Sequence, residues 1–367
     1  MIIDVVKLGK VANISSGKNA PKDDLFNHSE GLPFIRASHL NQLLQEKCDY
    51  NNFPKVNKEE SQKLKLLIAP KNSILFAKSG MSATMNRIVK LKQDCYFVNH
   101  LACVTPKSDN LNSNFLKHYL FYYNPTNLIQ GEAYPSINLS AISDLQIPLP
   151  PLEIQKAIAE KLDKADALRK KDQELLTQYD ELAQAIFIDM FGDPVKNEKG
   201  WKLVNFEKIM QLKRGYDLPT QDRNPEGKIH VFGSNGVLDL HDKSKTTKPC
   251  LITGRSGTIG KVHRSETNCW PLNTTLYSFE IYNNNLIFLE YLLKNFKIER
   301  FAHGAGVPTL DRKIVHKEKL PLINLDFQNQ FAEKIKNIEA QKTLVKQQAE
   351  ESENLFQALL QESFNFN

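Results

Sequence analysis

At 367 residues, 41% apolar and 25% charged, the chain has a globular composition and enough length for two or three domains, each with its own core. No apolar run approaches the ~18–20 residues needed to cross a bilayer. The opening MIIDVVKLGK carries Asp4 and no apolar core, so the expectation is a cytoplasmic protein without a secretory signal or membrane contact. Five cysteines (Cys48, Cys95, Cys103, Cys250 and Cys269), odd in number and without a C-x-x-C pair, argue against a disulfide framework or structural zinc and for reduced, buried thiols.

The net charge of +6 is unevenly spread. Residues 152–190 hold six basic and nine acidic side chains, and residues 325–364 hold four and seven. The remainder carries 38 basic against 26 acidic residues, a net +12. Basic globules joined by acidic helices suit a polyanion met by the globules.

In chain order, short β-branched and aromatic runs bounded by Gly, Pro, Asn and Ser predict strands at 73–77 and 96–104. Apolar residues at i, i+3 and i+4 predict a helix at 114–123. A long helix follows from Ile154. Ile158, Ala165, Asp172, Tyr179 and Ile186 form one near-heptad row, Leu168, Leu175 and Leu182 another, and Gly192-Asp193-Pro194 stops it. Strands at 230–232, 250–253 and 276–281 and a helix at 287–300 predict a second mixed, β-rich globule. A second long helix repeats the first, with Phe331, Ile338, Val345, Ser352 and Leu359 in the matching row. Helices this long cannot bury their stripe in small globules. They are expected to pack antiparallel on each other through Ile158, Leu168, Leu175, Leu182, Phe331, Ile338, Leu355 and Leu359.

The chain repeats itself. Residues 148–162 (PLPPLEIQKAIAEKL) return 173 residues later as 321–335 (PLINLDFQNQFAEKI), with seven of fifteen positions identical, among them Gln155/Gln328. That period is the length of a domain, well beyond the ~20–50 residues of a solenoid unit. Gly17/Gly215, Ser79-Gly80/Ser256-Gly257 and Asn99/Asn273 extend the match, and the first globule carries extra loop length between residues 40 and 70. Two similar binding surfaces are expected.

Catalytic motifs fail when tested. Gly254 to Lys261 lacks the first glycine of a phosphate loop and has Val262 where Ser or Thr must bind Mg²⁺. Asn124-Pro125-Thr126 lacks the second proline and aromatic of an amino-methyltransferase motif. Asp222, Glu226 and Lys228 have only the composition of an ordinary loop, and the nine histidines show no metal spacing. A non-catalytic chain is expected.

The paired 148–162 and 321–335 segments, Ala183-Gln184-Ala185-Ile186-Phe187, Met190-Phe191-Gly192-Asp193-Pro194, Phe232-Gly233-Ser234-Asn235-Gly236 and Ser256-Gly257-Thr258-Ile259-Gly260 with Asn273-Thr274-Thr275 together resemble the specificity subunit of a type I restriction–modification system, along the whole chain. The resemblance implies an α+β architecture. Two β-rich target recognition domains (1–148 and 194–320) would alternate with two long conserved helices (149–193 and 321–367) that pair as an antiparallel coiled coil. It implies a bipartite, asymmetric double-stranded DNA site, one half per domain, with the helices setting the spacing and docking partners. Those partners would be two methylation subunits binding S-adenosylmethionine and two motor-nuclease subunits using ATP and Mg²⁺, with no cofactor in this chain. By position and chemistry the candidate DNA contacts are Lys18, Arg36, Lys78, Ser79 and Arg87 in the first domain, and Arg214, Arg223, Arg255, Ser256, Lys261 and Arg264 in the second. Met81-Ser82-Ala83-Thr84 departs from the glycine-rich pattern of the second domain. The competing reading is a duplicated protein-interaction scaffold that does not bind DNA.

Overall fold

The computed structural model describes residues 4–26, 30–45, 48–107, 109–131, 133–304, 306 and 308–365; the first three residues of the opening segment lie outside that set. The chain forms two units: Met1–Lys171 with Gln348–Asn367, and Asp172–Gln347. Each contains one globule and parts of both long helices, Leu152–Phe191 and Leu325–Phe364.

The duplication holds strand by strand. The first unit has an antiparallel sheet in the order Ala12–Ser16, Leu101–Pro106, Ile74–Ala77, Val89–Lys90. The second has Gln211–Arg214, Thr275–Glu280, Cys250–Gly254, Val262–Ser265 in the same order. A second sheet in each unit contains one parallel pair, Leu32–Ile35 with Cys95–Phe97 and Ile229–Gly233 with Trp270–Pro271. A two-stranded ribbon closes each globule, Asp4–Lys7 with Gln146–Leu149 and Leu203–Asn205 with Lys319–Pro321.

Three expectations are corrected. The run 96–104 is two strands in different sheets, because Asn99 and His100 turn the chain between Cys95–Phe97 and Leu101–Pro106. The helix expected at 287–300 is Leu286–Phe296, ended by Lys297 in the left-handed region at φ 53°. The described residues of the extra length near 40–70 form short helices and strands. Leu40–Leu43, Lys58–Lys63, Lys55–Val56 and Ile68–Ala69 place Leu40, Leu43, Tyr50, Phe53 and Val56 in a core with Phe34 and Phe97. Apolar side chains, not polar loop chemistry, hold it.

Each globule docks on a long helix through one short helix, Ser113–Tyr123 or Leu286–Phe296. The repeated glutamines explain the docking. Gln155, fully buried, accepts from the Asn112 N–H at 2.9 Å and donates to the Asn110 and Pro150 carbonyls at 2.9 Å each. Gln328 accepts from the Asn285 N–H at 2.8 Å and donates to Asn284 Oδ1 at 2.7 Å and the Ile323 carbonyl at 2.9 Å. Asn112 and Asn285 in turn cap their helices by accepting from the N–H groups two and three residues on. A single side chain thus ties the helix start to the long helix and to the preceding turn.

The ionic part of this joint differs between units. In the first, Lys117 lies 3.3 Å from Asp166 and 3.6 Å from Asp163, and His118 Nε2 lies 2.8 Å from Asp163. Burial pushes the His118 imidazole below its ordinary pKa. For Asp166, burial alone would raise the carboxyl; Lys117, Lys170 and Arg169 outweigh it and hold it far below the carboxylate range. In the second unit, at the positions of Asp163 and Asp166, the long helix carries Lys336 and Glu339, and the globule supplies Arg264 and Glu290.

Within each unit the long helices run antiparallel. Lys161 meets Glu362 at 3.0 Å and Arg169 meets Glu353 at 3.0 Å in the first unit; in the second, Asp180 meets Lys342 and the Phe187 and Phe331 rings are 5.6 Å apart. Phe331 and Ile338 are buried, and Ile158, Leu175 and Leu359 half-buried, as an interface requires. Leu168, Leu182 and Leu355 are corrections, being 41%, 46% and 47% exposed. The places of these three are taken by Leu162, Ala165, Phe356 and Leu360 in the first unit, and by Ala183, Phe187 and Ile335 beside the expected Phe331 in the second. Their position follows from the globule helices, whose Phe115, Phe121 and Phe288 rings pack on Phe364, Phe356 and Phe187 and turn the large aromatics inward.

Candidate nucleic-acid interface

Both globules carry the same clamp where the two sheets converge. In the first, the Asn99 amide donates to Asn19 Oδ1 at 2.7 Å; in the second, the Asn273 amide donates to Asp217 Oδ1. Each clamp follows a glycine that no other residue could replace without displacing backbone. A Cβ on Gly17 would sit 1.9 Å from the Phe97 carbonyl oxygen, and one on Gly215 2.2 Å from that of Leu272. The close approach explains why these glycines recur in both halves.

Basic and polar candidates gather around the second clamp. Arg255 and Arg214 both direct Nε at the Asn273 carbonyl, at 3.0 and 3.4 Å. Lys261 Nζ donates to Asn235 Oδ1 at 2.6 Å, at the tip of the Ile229–Gly233/Gly236–His241 hairpin. Ser256 is bridged to Thr309 through the backbone. Between hairpin, clamp and residues 217–223 lies a cleft of about 550 Å³, lined by Asp217, Arg223, Ser234, Asn235, Asn273 and Thr274. Arg223 is 12% exposed and holds the wall of this cleft, bonding the Leu218 carbonyl at 3.3 and 3.4 Å and meeting Asp239 at 3.4 Å. Beside it, the Lys213 and Lys245 ammonium groups lie 5.9 and 5.4 Å from the Tyr216 ring centroid.

Around the first clamp stand Lys18, Lys78 and Ser79. Lys18 pairs by backbone with Phe97 and Asn99; Lys78 donates its N–H to the His100 carbonyl at 2.8 Å, and Ser79 Oγ lies 2.7 Å from His100 Nδ1. Arg87 is half-buried on the turn that follows. Arg36 stands apart, with its guanidinium 5.1 Å over the Phe26 ring and 3.4 Å from Asp23.

Arg264 is a correction. Its side chain is 13% exposed, and Glu266, Glu290 and Glu339 lie 2.5, 3.0 and 2.8 Å away. A guanidinium neutralised by three carboxylates has no charge to offer a phosphate; it braces the globule against the long helix. Sequence reasoning did not single out Asn19, His100 or Asp217, and Asn235 entered only within the Phe232–Gly236 motif. The paired Asn99/Asn273 was the signal that leads to Asn19 and Asp217.

Among the described residues no cluster of His, Cys, Asp or Glu could hold a metal, and no helix is long and apolar enough to cross a membrane. The described cysteines are unbridged, with Cys250 and Cys269 Sγ atoms 3.7 Å apart in the second core.

The family model described as "Type I restriction modification DNA specificity domain" matches residues 3–178 and 198–354. The chain is 29% identical over 159 residues (41% of this chain) to the type I restriction enzyme MjaIX specificity subunit of Methanocaldococcus jannaschii. It is 24% identical over 210 residues (55% of this chain) to the EcoKI specificity subunit of Escherichia coli. The matched stretches span 34% and 44% of those two relatives. Among solved structures, the S subunit of a type I restriction-modification system from M. genitalium superimposes with a TM-score of 0.62 at 14% identity, covering 99% of this chain and 96% of that one. A chain from a structure titled for complex assembly and conformational transition of the type I R-M system gives 0.53 at 16% identity, covering 99% and 97%.

Proposed function

This chain belongs to the type I restriction modification DNA specificity family, and from that premise we propose that it is the sequence-reading subunit of a type I complex. Each globule reads one half of a bipartite site in double-stranded DNA. The observation that carries the reading is the pair of matched asparagine clamps on equivalent sheets, set among Lys18, Lys78 and Ser79 in one unit and Arg214, Arg255 and Lys261 in the other. Lysine and arginine supply affinity through phosphates, and amide and hydroxyl groups at the clamp read base edges. The clamps differ, Asn19 against Asp217 and Lys18 against Tyr216, so the two half-sites differ and the whole site is asymmetric.

The long helices, 40 residues each and so about 60 Å at ~1.5 Å per residue, suit a spacer that fixes the separation of the half-sites. Their exposed Leu168, Leu182 and Leu355 suit docking of the methylation subunits. The chain itself performs no chemical step. S-adenosylmethionine, ATP and Mg²⁺ serve two methylation and two motor-nuclease subunits, all in the cytoplasm where the DNA is.

The test is the methylome of a methylation-free host expressing the partner methylation subunit with or without this chain. A split, asymmetric adenine motif that appears only with this chain is the expected result. A soluble complex that leaves no motif would overturn the proposal in favour of a scaffold that does not read DNA.

A further inference from the structure

Among the described large apolar side chains, Met81 is the most exposed, at 73%. It does not stand alone. Met85, 48% exposed, is on the same turn, and Tyr134, 57% exposed, is on the neighbouring loop, which the Gly80 N–H joins by donating to the Pro135 carbonyl at 2.9 Å. Two of the five methionines of the chain therefore sit on one four-residue turn, Met81–Thr84, and the residue after it.

The turn is braced from within. Ala83 is buried in the core and donates its N–H to the Gly80 carbonyl at 2.9 Å, and Thr84 Oγ1 donates to the Met81 carbonyl at 2.8 Å. Gly80, at φ 72°, lets the chain reverse there. The bracing fixes the backbone that carries Met81 outward, with Met85 and Tyr134 near it.

The surroundings indicate what meets this tip. Met81 follows directly on Lys78-Ser79-Gly80, whose Ser79 meets His100, the neighbour of Asn99 in the first clamp, and Arg87 follows the turn, so in the chain the apolar tip stands between cations. At the matching place in the second unit the chain has Thr258-Ile259-Gly260, and Ile259 packs inward against the core. The tip is particular to the first globule. In the major groove the apolar feature that a base presents beside its donors and acceptors is the thymine C5-methyl group. An unbranched, polarizable thioether adapts to such a surface.

Resting on the DNA-reading function proposed above, we infer that Met81 is a specificity-determining residue of the first globule, covering the C5-methyl of one thymine in its half-site while Lys78, Arg87 and Lys18 hold the adjoining phosphates.

The experiment uses the complex assembled with methylation subunits and duplexes carrying its motif, with the thymines of the first half-site replaced one at a time by deoxyuridine. One replacement is expected to weaken the natural complex about fourfold, the factor for one methyl-sized group at ~0.8 kcal/mol. Met81→Ala and the length-preserving Met81→Gln weaken binding to the natural duplex by a similar factor and are indifferent to that replacement. Equal sensitivity of natural and variant complexes to every replacement would overturn the inference. So would unchanged binding by both variants, or a loss traced by native mass measurement to weaker subunit assembly, which would assign the tip to a protein partner. Failure of the natural complex to bind its motif would instead remove the underlying reading, and this one with it.

Discussion

Gln155→Met isolates the side chain that joins the first globule to its helix. The substitution keeps length and volume, so no cavity opens, but three hydrogen bonds of 2.9 Å disappear. The Pro150 carbonyl is left in a buried site, and the Asn112 N–H and Asn110 carbonyl in partly buried ones. A buried polar group stripped of its partner costs about 1–3 kcal/mol, and the partly buried groups recover some of that from water. The expected loss is about 3 kcal/mol of docking free energy, confined to the first unit. Native-state hydrogen exchange reads it directly: amides of Ser113–Tyr123, such as Leu116 bonded to the Asn112 carbonyl, should exchange on the order of a hundredfold faster. Leu286–Phe296 is the internal control, and Gln328→Met should reverse the pattern. An acceleration under threefold in the matched helix, or equal acceleration in both helices, would refute the assignment.

Arg264→Ala should lower the stability of the second unit by about 2 kcal/mol, since the brace to Glu339 is lost and the mostly buried Glu290 is left with Lys294 alone, while the more exposed Glu266 and Glu339 turn to water; the salt dependence of DNA binding should not change. Arg255→Ala should do the opposite: melting holds, and if the residue meets a phosphate the slope of log affinity against log salt falls by about 0.9. Gly17→Ala and Gly215→Ala should each cost several kcal/mol, because the new methyl would have to displace a backbone carbonyl; thermal melting of the single variants checks this. Acid should loosen the first joint in two steps. His118 has a folded pKa below its unfolded value, so its contribution is present above about pH 6.5 and is lost as pH falls below it; Asp163 and Asp166, also depressed, add their losses below about pH 4. Exchange from Ser113–Tyr123 followed across this range should show both steps, and His118→Gln should abolish only the upper one.

The duplication was legible because identical residues do identical work. Gln155/Gln328, Gly17/Gly215 and Asn99/Asn273 are held by one geometry in both halves, and geometry that leaves no alternative leaves a trace in sequence. The long helices and their antiparallel pairing followed from heptad spacing and a glycine-proline stop. What periodicity could not show is which stripe faces inward. Leu168, Leu182 and Leu355 sit at good heptad positions, yet the globule helices compete for the same helices and draw Phe187, Phe331 and Phe356 into the core. Arg264 was misread for a related reason: of the three carboxylates around it only Glu266 is near in sequence, while Glu290 belongs to the next helix and Glu339 is 75 residues away and comes near only on folding. The Asn19 and Asp217 partners of the clamps are likewise far off, 80 and 56 residues from their asparagines, and only the asparagines repeat.

The unlike charges at the two joints bear on how such a chain can be recombined. A globule does not end at its last strand; it ends where its ionic partners end. Lys117 and His118 need Asp163 and Asp166, which belong to the long helix, and Arg264 needs Glu339, which belongs to the other. A crossover before Leu152 would set an incoming globule on residues selected for its predecessor, with lysines facing lysines or carboxylates facing carboxylates. A crossover beyond Lys171 would carry the helical turns along with the globule they fit. Exchange of globules, in the laboratory or between genomes, should therefore succeed at junctions inside the helices and fail at those that look tidier on a domain map.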